Sequence, residues 1–211
     1  FTDAADYLSG MHLGYMELPA GGVAVGRKVI YLKPHIIVVV DAFYTSGPHC
    51  YEQNFHFGNG ISTWQKNAVV WQGQKAQAKL LCVGDGLTTV LNPAPYSKIY
   101  NQLQEHDHLK VTKKGTGFAS MITVLSLSKL GENNNMEAEL IPVTTLRLKR
   151  NIPQDKAQAV KITRNGQSYV VVICHGEVIS EVDLLVANQH EGYGKVLAFT
   201  PENPDGICLA W

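Results

Sequence analysis

The sequence predicts an all-β protein, a large antiparallel β-sandwich of about twelve or more strands. Three observations predict it. Short segments rich in Val, Ile, Tyr, Phe and Thr recur along all 211 residues, and these are the side chains that suit a pleated, half-buried surface. Nineteen glycines and nine prolines, helped by Asn and Asp, break those segments apart, at a spacing of roughly 8–12 residues that suits sandwich strands. No long stretch carries apolar residues at the i, i+3, i+4, i+7 spacing of an amphipathic helix. A closed barrel is the lesser alternative.

The strand candidates, in order, are Gly26–Leu32, His35–Phe43, His49–Phe57, Asn67–Trp71, Lys79–Val83, Phe118–Ser126, Val143–Lys149, Ala159–Thr163, Ser168–Cys174, Val178–Val186, Lys195–Thr200 and Gly206–Trp211. His35–Phe43 reads HIIVVVDAF, apolar on both faces, which marks a central strand covered on both sides. His49–Phe57 alternates: Tyr51, Gln53, Phe55 and Phe57 point one way, Cys50, Glu52, Asn54 and His56 the other. Gly47 and Pro48 lie between these two segments, so a hairpin with a loop of about five residues is expected there. Asn165-Gly166, between KIT and SYVVV, is a two-residue hairpin signal. Tyr96–Asp107 is the one helix candidate, a short helix or an ordered loop, since Ile99 and Leu103 make no broad stripe. Residues 131–135 (GENNN) read as an exposed loop. No repeat and no linker is evident, so residues 1–211 are expected to form one sandwich domain.

Composition excludes several classes. The chain has 18 basic and 18 acidic residues and no net charge, with 45% apolar and 17% charged residues. That is a globular composition, not a disordered one, and it gives no electrostatic basis for binding nucleic acid. Apolar runs fall far short of the ~20 residues of a membrane helix. Four cysteines (Cys50, Cys82, Cys174, Cys208) do not make a disulfide scaffold, and no CxxC pair is present. Cys82 and Cys174 sit in apolar runs and read as buried core, with one bridge between strands as the alternative. There is no GxSxG elbow, P-loop or GxGxxG.

Residues 7–60 resemble the heparinase II/III-like family of polysaccharide lyases. The resemblance is carried by a G-x-H-x-G-Y element (Gly10, His12, Gly14, Tyr15), by Arg27 opening the strand GRKVIYLKP, by IIVVVD ending in Asp41, and by H-x-Y-E-Q-x-F-H-F from His49 to Phe57. It covers about a quarter of the chain; the rest agrees in strand character only. The resemblance implies a supersandwich-like region that follows a helical toroid, the toroid carrying the catalytic residues. The chain starts at Phe1, so it is expected to be the C-terminal part of a longer lyase-like protein. It implies β-elimination on an acidic, uronate-containing polysaccharide, with this chain alone inactive, a toroid of the same protein as its partner, and a secreted or periplasmic address. No catalytic residue carries over. The rival class is a non-catalytic glycan-binding or structural assembly module.

Some family members hold a zinc ion in the sheet domain. The resemblance carries Asp41 and His56 over as ligands, while the first ligand position, just before Arg27, reads Val23-Ala24-Val25-Gly26 and lacks a His. A closed zinc site takes four ligands. Asp41 has an ordinary alternative, capping the strand end in the turn that follows. His56 has one as a hydrogen-bonded sandwich histidine. His12 and Tyr15 are the candidate substrate contacts. His49 and His56, seven apart, fall on opposite faces of a regular strand. His106-Asp107-His108 places two imidazoles on one side of an extended segment, where they could clasp a metal. Lys110, Lys113 and Lys114 read as a solvated edge. Trp64, Trp71 and Tyr51 read as core, with sugar stacking as the alternative.

Overall fold

The computed structural model describes residues 2–176 and 184–211, and every regular element among them is a strand. In chain order these are β1 (Ala5–Tyr15), β2 (Val23–Leu32), β3 (Ile36–His56), β4 (Ile61–Gln65), β5 (Ala68–Gln72), β6 (Ala76–Val83), β7 (Leu87–Ile99), β8 (Gln102–Lys129), β9 (Met136–Ile141), β10 (Val143–Thr145), β11 (Ala157–Arg164), β12 (Gln167–Cys174), β13 (Leu185–Ala187), β14 (His190–Gly192), β15 (Val196–Thr200) and β16 (Asn203–Ala210). The first eight make one antiparallel sheet in the order β1-β2-β3-β8-β6-β5-β4, with β7 on β8. A five-stranded sheet runs β16-β15-β12-β11-β9, and a small one runs β10-β13-β14. The fold is all-β and sandwich-like, as the sequence predicts.

The main core lies between the large and five-stranded sheets. Ile36, Val38 and Val40 of β3, with Ile122 and Val124 of β8, meet Val160 and Ile162 of β11 and Val171 and Ile173 of β12. The period of two puts alternate residues of each strand on this face. The five-stranded sheet also packs by its other face, where Ala159, Val170, Val172 and Phe199 meet Val143, Leu185 and Ala187 of the small sheet. Being covered on both sides, β12 reads as a nearly continuous apolar run from Tyr169 to Cys174.

β3 and β8 depart from the sequence expectation. His35–Phe43 and His49–Phe57 are two halves of one 21-residue strand, not a hairpin. Both halves pair with β8: Ile36–Tyr44 with Ser126–Phe118, and Pro48–His56 with Thr116–His108. Between them the register breaks, with residues 45–47 of β3 opposite Gly117 of β8, which has φ 76°. Gly47 and Pro48 therefore mark a bulge rather than a turn. A Cβ at Gly47 would collide with the carbonyl of Ala20, so only glycine fits that close approach. The ribbon creases at this point and its second half lies over the first. Phe43 stacks on Tyr51 at 4.1 Å, and Gln53 reaches Asp41. The space inside the crease is a third core, built on Phe43, Tyr51, Leu80, Leu109, Val111 and Met121.

The Tyr96–Asp107 segment is extended, not helical: β7 and β8 form a long ribbon that turns at Tyr100 and Asn101, with Asn101 at φ 59°. Its outer part is largely solvent-exposed, so no apolar period marks it. Of Val143–Lys149 only Val143–Thr145 is strand, and of Val178–Val186 residues 178–183 lie outside the described residues. The Asn165-Gly166 turn joins β11 to β12 with Arg164 opposite Gln167, both turn residues at positive φ (50° and 84°), as a type I′ hairpin requires.

His175, just past β12, ties the sheets together. Its carbonyl accepts from the Tyr44 hydroxyl at 2.7 Å, its Nε2 lies 2.7 Å from Gln158 Oε1, and its ring packs on Phe118. Burial, aided by nearby Lys28 and opposed by Asp155, pushes its pKa from 6.5 down to about 4. The unfolded chain therefore binds a proton between those values that the folded chain refuses, and stability falls as pH drops through that window. The shift corresponds to a loss on the order of 3 kcal/mol. In urea denaturation followed at several pH values, His175→Gln is expected to remove most of that acid-dependent loss; an unchanged slope would refute the assignment.

Candidate functional site

A cavity of ≈ 1020 Å³ opens between the β1–β2 hairpin and the second half of β3. The crease creates it. β2 pairs only with the first half of β3, as far as Thr45, so residues 49–54 form a free strand edge facing the hairpin. His12, Tyr15, Arg27, His49, Tyr51 and Glu52 all contribute to its wall.

His12 and Tyr15, the candidate substrate contacts, are brought together here. Their rings meet edge to face with centroids 5.0 Å apart. A Cβ on Gly14 would stand 2.7 Å from His12 Nε2, so the glycine lets the imidazole fold down beside Tyr15. The β1–β2 register shifts between His12 and Tyr15, which re-aims the two side chains as bulges do. Both residues are exposed. Deeper in the wall, Tyr51 Oη and His49 Nε2 are shielded from solvent and have no protein partner among the described residues. Burial pushes the Tyr51 phenol up. A mostly apolar cavity with a few polar atoms is the usual build of a binding site.

Asp41 lies at the floor, 2% exposed by its side chain. Arg27 Nε donates to its Oδ1 at 2.6 Å and Nη2 to its Oδ2 at 2.6 Å. Gln53 Nε2 donates to Oδ2 at 2.9 Å, and Gln53 Oε1 accepts from Thr123 at 2.6 Å. The hydrogen bond to Asp41 holds the guanidinium more firmly protonated than usual. This buried network was not read from the sequence. Its one signal was Gln53, a polar residue between Tyr51 and Phe55 on the inward face of an alternating strand.

His56 stands elsewhere. Its Nδ1 is 2.9 Å from His106 Nε2, and its ring stacks on His108 at 4.4 Å. Asp41 and His56 thus have separate partners, the carboxylate Arg27 and Gln53, the imidazole His106 and His108. Among the described residues, no group of three or more His, Cys, Asp or Glu side chains is set ready around an ion position. His49 and His56 have different company too, His49 lying near Tyr51.

The other candidates take ordinary places. Lys110 pairs with Glu52 at 3.3 Å and Lys113 donates to the Ser120 carbonyl. Trp71 is half-buried, with Nε1 donating to the Gly58 carbonyl, while Trp64 is exposed. All four cysteines are free thiols, and Cys174 is buried, its pKa pushed up to about 11.

No protein-family model matches the sequence, and no curated protein matches it. Solved structures do match. The heparan sulfate lyase HepC from Pedobacter heparinus superposes with a TM-score of 0.66 at 11% identity, over 85% of this chain and 28% of that one. A heparinase III superposes with a TM-score of 0.64 at 14% identity, over 82% of this chain and 26% of that one. The fold is heparinase-like. At such identities the likeness is one of fold, and this heparinase-like chain spans about a quarter of the length of the enzymes it matches.

The Arg27–Asp41 pair is asymmetric, because the Arg27 side chain is 57% exposed. Removing the arginine strands a buried carboxylate; neutralising the aspartate leaves a cation already half in water. Arg27→Ala is expected to cost about 2–3 kcal/mol in urea denaturation. Adding Asp41→Asn to it should restore part of that loss. A double variant no more stable than Arg27→Ala would contradict the electrostatic reading.

Proposed function

We propose that this chain is the β-sheet portion of a heparinase-type polysaccharide lyase, and that it walls one side of a cleft whose reactive groups lie on a helical toroid of the same protein. The observation that carries the reading is the superposition on heparinase III and HepC over more than four-fifths of this chain but about a quarter of theirs. Two features support it. The cavity presents His12 and Tyr15 side by side in the region that resembles the family. On one face of β1, Met11 and Leu13 are both 60% exposed, an apolar pair that a partner domain would cover.

The chemistry explains the division of labour. β-Elimination on a uronate removes the C5 proton, develops charge on the carboxylate and expels the glycosidic oxygen at C4. It needs a base at C5, a neutralised carboxylate and a proton for the leaving oxygen. The one arginine or lysine among the residues lining this cavity, Arg27, is already paired with Asp41, so the cavity's described lining brings no uncommitted Lys or Arg to the carboxylate. What it offers is surface: an aromatic ring and an imidazole to hold a sugar residue in place. A secreted or periplasmic address belongs with the same reading; no helix among the described residues is long and apolar enough to cross a membrane.

The 211-residue chain, incubated with heparan sulfate or alginate, is expected to yield no unsaturated product by ultraviolet absorbance. Turnover by this chain alone would overturn the assignment of the chemistry to the toroid. In the longer protein, Tyr15→Ala is expected to raise KM several-fold with a smaller change in kcat, as loss of a binding contact does; an unchanged KM would remove Tyr15 from the cleft. Saturable heparan sulfate binding by the isolated chain, without turnover, would instead make it a glycan-binding module.

A further inference from the structure

β1 is the outermost strand of the large sheet, and one of its two edges is open. One bond fixes its backbone alternation. The Lys33 amide donates to the Ala4 carbonyl at 2.9 Å. The even residues up to His12 therefore turn their amides and carbonyls toward β2, while Ala5, Tyr7, Ser9 and Met11 turn theirs to the open side. Ala5 is already occupied there. Its carbonyl accepts from the Thr2 amide at 3.0 Å, its amide donates to Thr2 Oγ1 at 2.9 Å, and the Thr2 carbonyl is held by Lys33 Nζ at 2.7 Å. Thr2 and Ala5 thus stand opposite one another across Asp3 and Ala4, as the closing pair of a two-residue hairpin does. The backbone doubles back at this point, so polypeptide ahead of Thr2 is aimed along the open edge. Tyr7, Ser9 and Met11 have no backbone partner on that side among the described residues.

Resting on the reading of this chain as part of a longer lyase, we propose that the open edge of β1 docks a strand formed by the polypeptide that precedes Thr2 in that protein. The strand lies antiparallel to β1, in the register that the Thr2–Ala5 pair sets. The residues two, four and six places ahead of Thr2 fall opposite Tyr7, Ser9 and Met11 and exchange amide and carbonyl bonds with them. The composition of the edge supports this. An edge strand left to water is blunted by charge, by proline or by shortness. β9 carries Glu137 and Glu139, β16 carries Pro204 and Asp205, and β4 has only five residues. β1 has eleven residues and no proline, and its one carboxylate, Asp6, is paired with Lys33 at 2.8 Å. The same geometry selects the occupant. This chain spans about a quarter of the heparinases it matches, and the Thr2–Ala5 pair delivers the preceding polypeptide to this edge, where a second copy of the chain would have to displace it. The added strand makes β1 an interior strand, so the stretch that carries His12 is held from both edges and that wall of the cavity is stiffened.

Amide hydrogen exchange over β1 tests this, with the 211-residue chain compared with the longer protein. In the 211-residue chain the Leu8 and Gly10 amides, bonded to β2, are expected to exchange slowly, and those of Tyr7, Ser9 and Met11 fast. In the longer protein all five are expected to be slow, the last three slowed by about tenfold or more. Fast exchange at Tyr7, Ser9 and Met11 in the longer protein would overturn the proposal. Protection of the same three amides in the 211-residue chain that grows with its concentration would assign the edge to a second copy and overturn it as well. Exchange is read independently of turnover. A longer protein that protects these amides yet cleaves no uronate polymer sinks the lyase reading alone, and an active lyase with fast amides sinks the docked strand alone.

Discussion

The structure depends on one buried carboxylate. Asp41 sits inside the crease of the β3–β8 ribbon, and an ionised carboxylate there is tolerable only if its oxygens are satisfied. Arg27 reaches it from β2, and Gln53 reaches it from the far half of its own strand, itself held by Thr123 of β8. Four side chains on three strands thus fix the angle at which the second half of β3 lies over the first. The apolar contents of the crease, Phe43 on Tyr51 with Leu109 and Met121 around them, supply the driving force. The polar network supplies the register, since a slip of one residue would turn Gln53 outward.

From that crease the functional geography follows. Folding the ribbon lifts the second half of β3 away from β2, and the gap left beside the β1–β2 hairpin is the cavity. His12 and Tyr15 stand together in it because Gly14 leaves room for the imidazole beside the phenol. The same crease carries the outer ribbon of β7 and β8 clear of the sandwich, where polar residues can gather without cost to a core. His56, His106 and His108 come together on that ribbon. The heparinase-like fold therefore offers two separated surfaces: one shaped by aromatic rings beside an apolar strand, the other by imidazoles.

Much of the fold was legible because period-two patterning and turn chemistry act locally. Asn165-Gly166 set its hairpin by the φ angles those residues accept, and the apolar run of His35–Phe43 marked a central strand of the large sheet. The errors have two causes. Gly47-Pro48 satisfies the rules for a turn and for a bulge alike, and which of them forms depends on a partner strand lying 60 to 80 residues further on. The Tyr96–Asp107 ribbon has no buried face, so no periodicity betrays it. The site was half legible in the same way. His12 and Tyr15 are close in sequence and stay close in space, whereas the pairing of Asp41 with Gln53 and of His56 with His106 is made by the crease and the ladder.

By itself, then, the sequence determined that this chain is built of strands, where most of them lie, which faces are apolar, and that its polar residues of interest cluster in the first half. These are properties of neighbours within a few residues, governed by sterics and by the alternation of side chains along an extended backbone. Only the tertiary structure decided that two strands are one, that Asp41 is paired with Arg27, and that His56 belongs with His106 and His108. Each of those outcomes is set by contacts between residues 12 to 70 positions apart. Such contacts form only when the burial of a shared core holds the distant segments together.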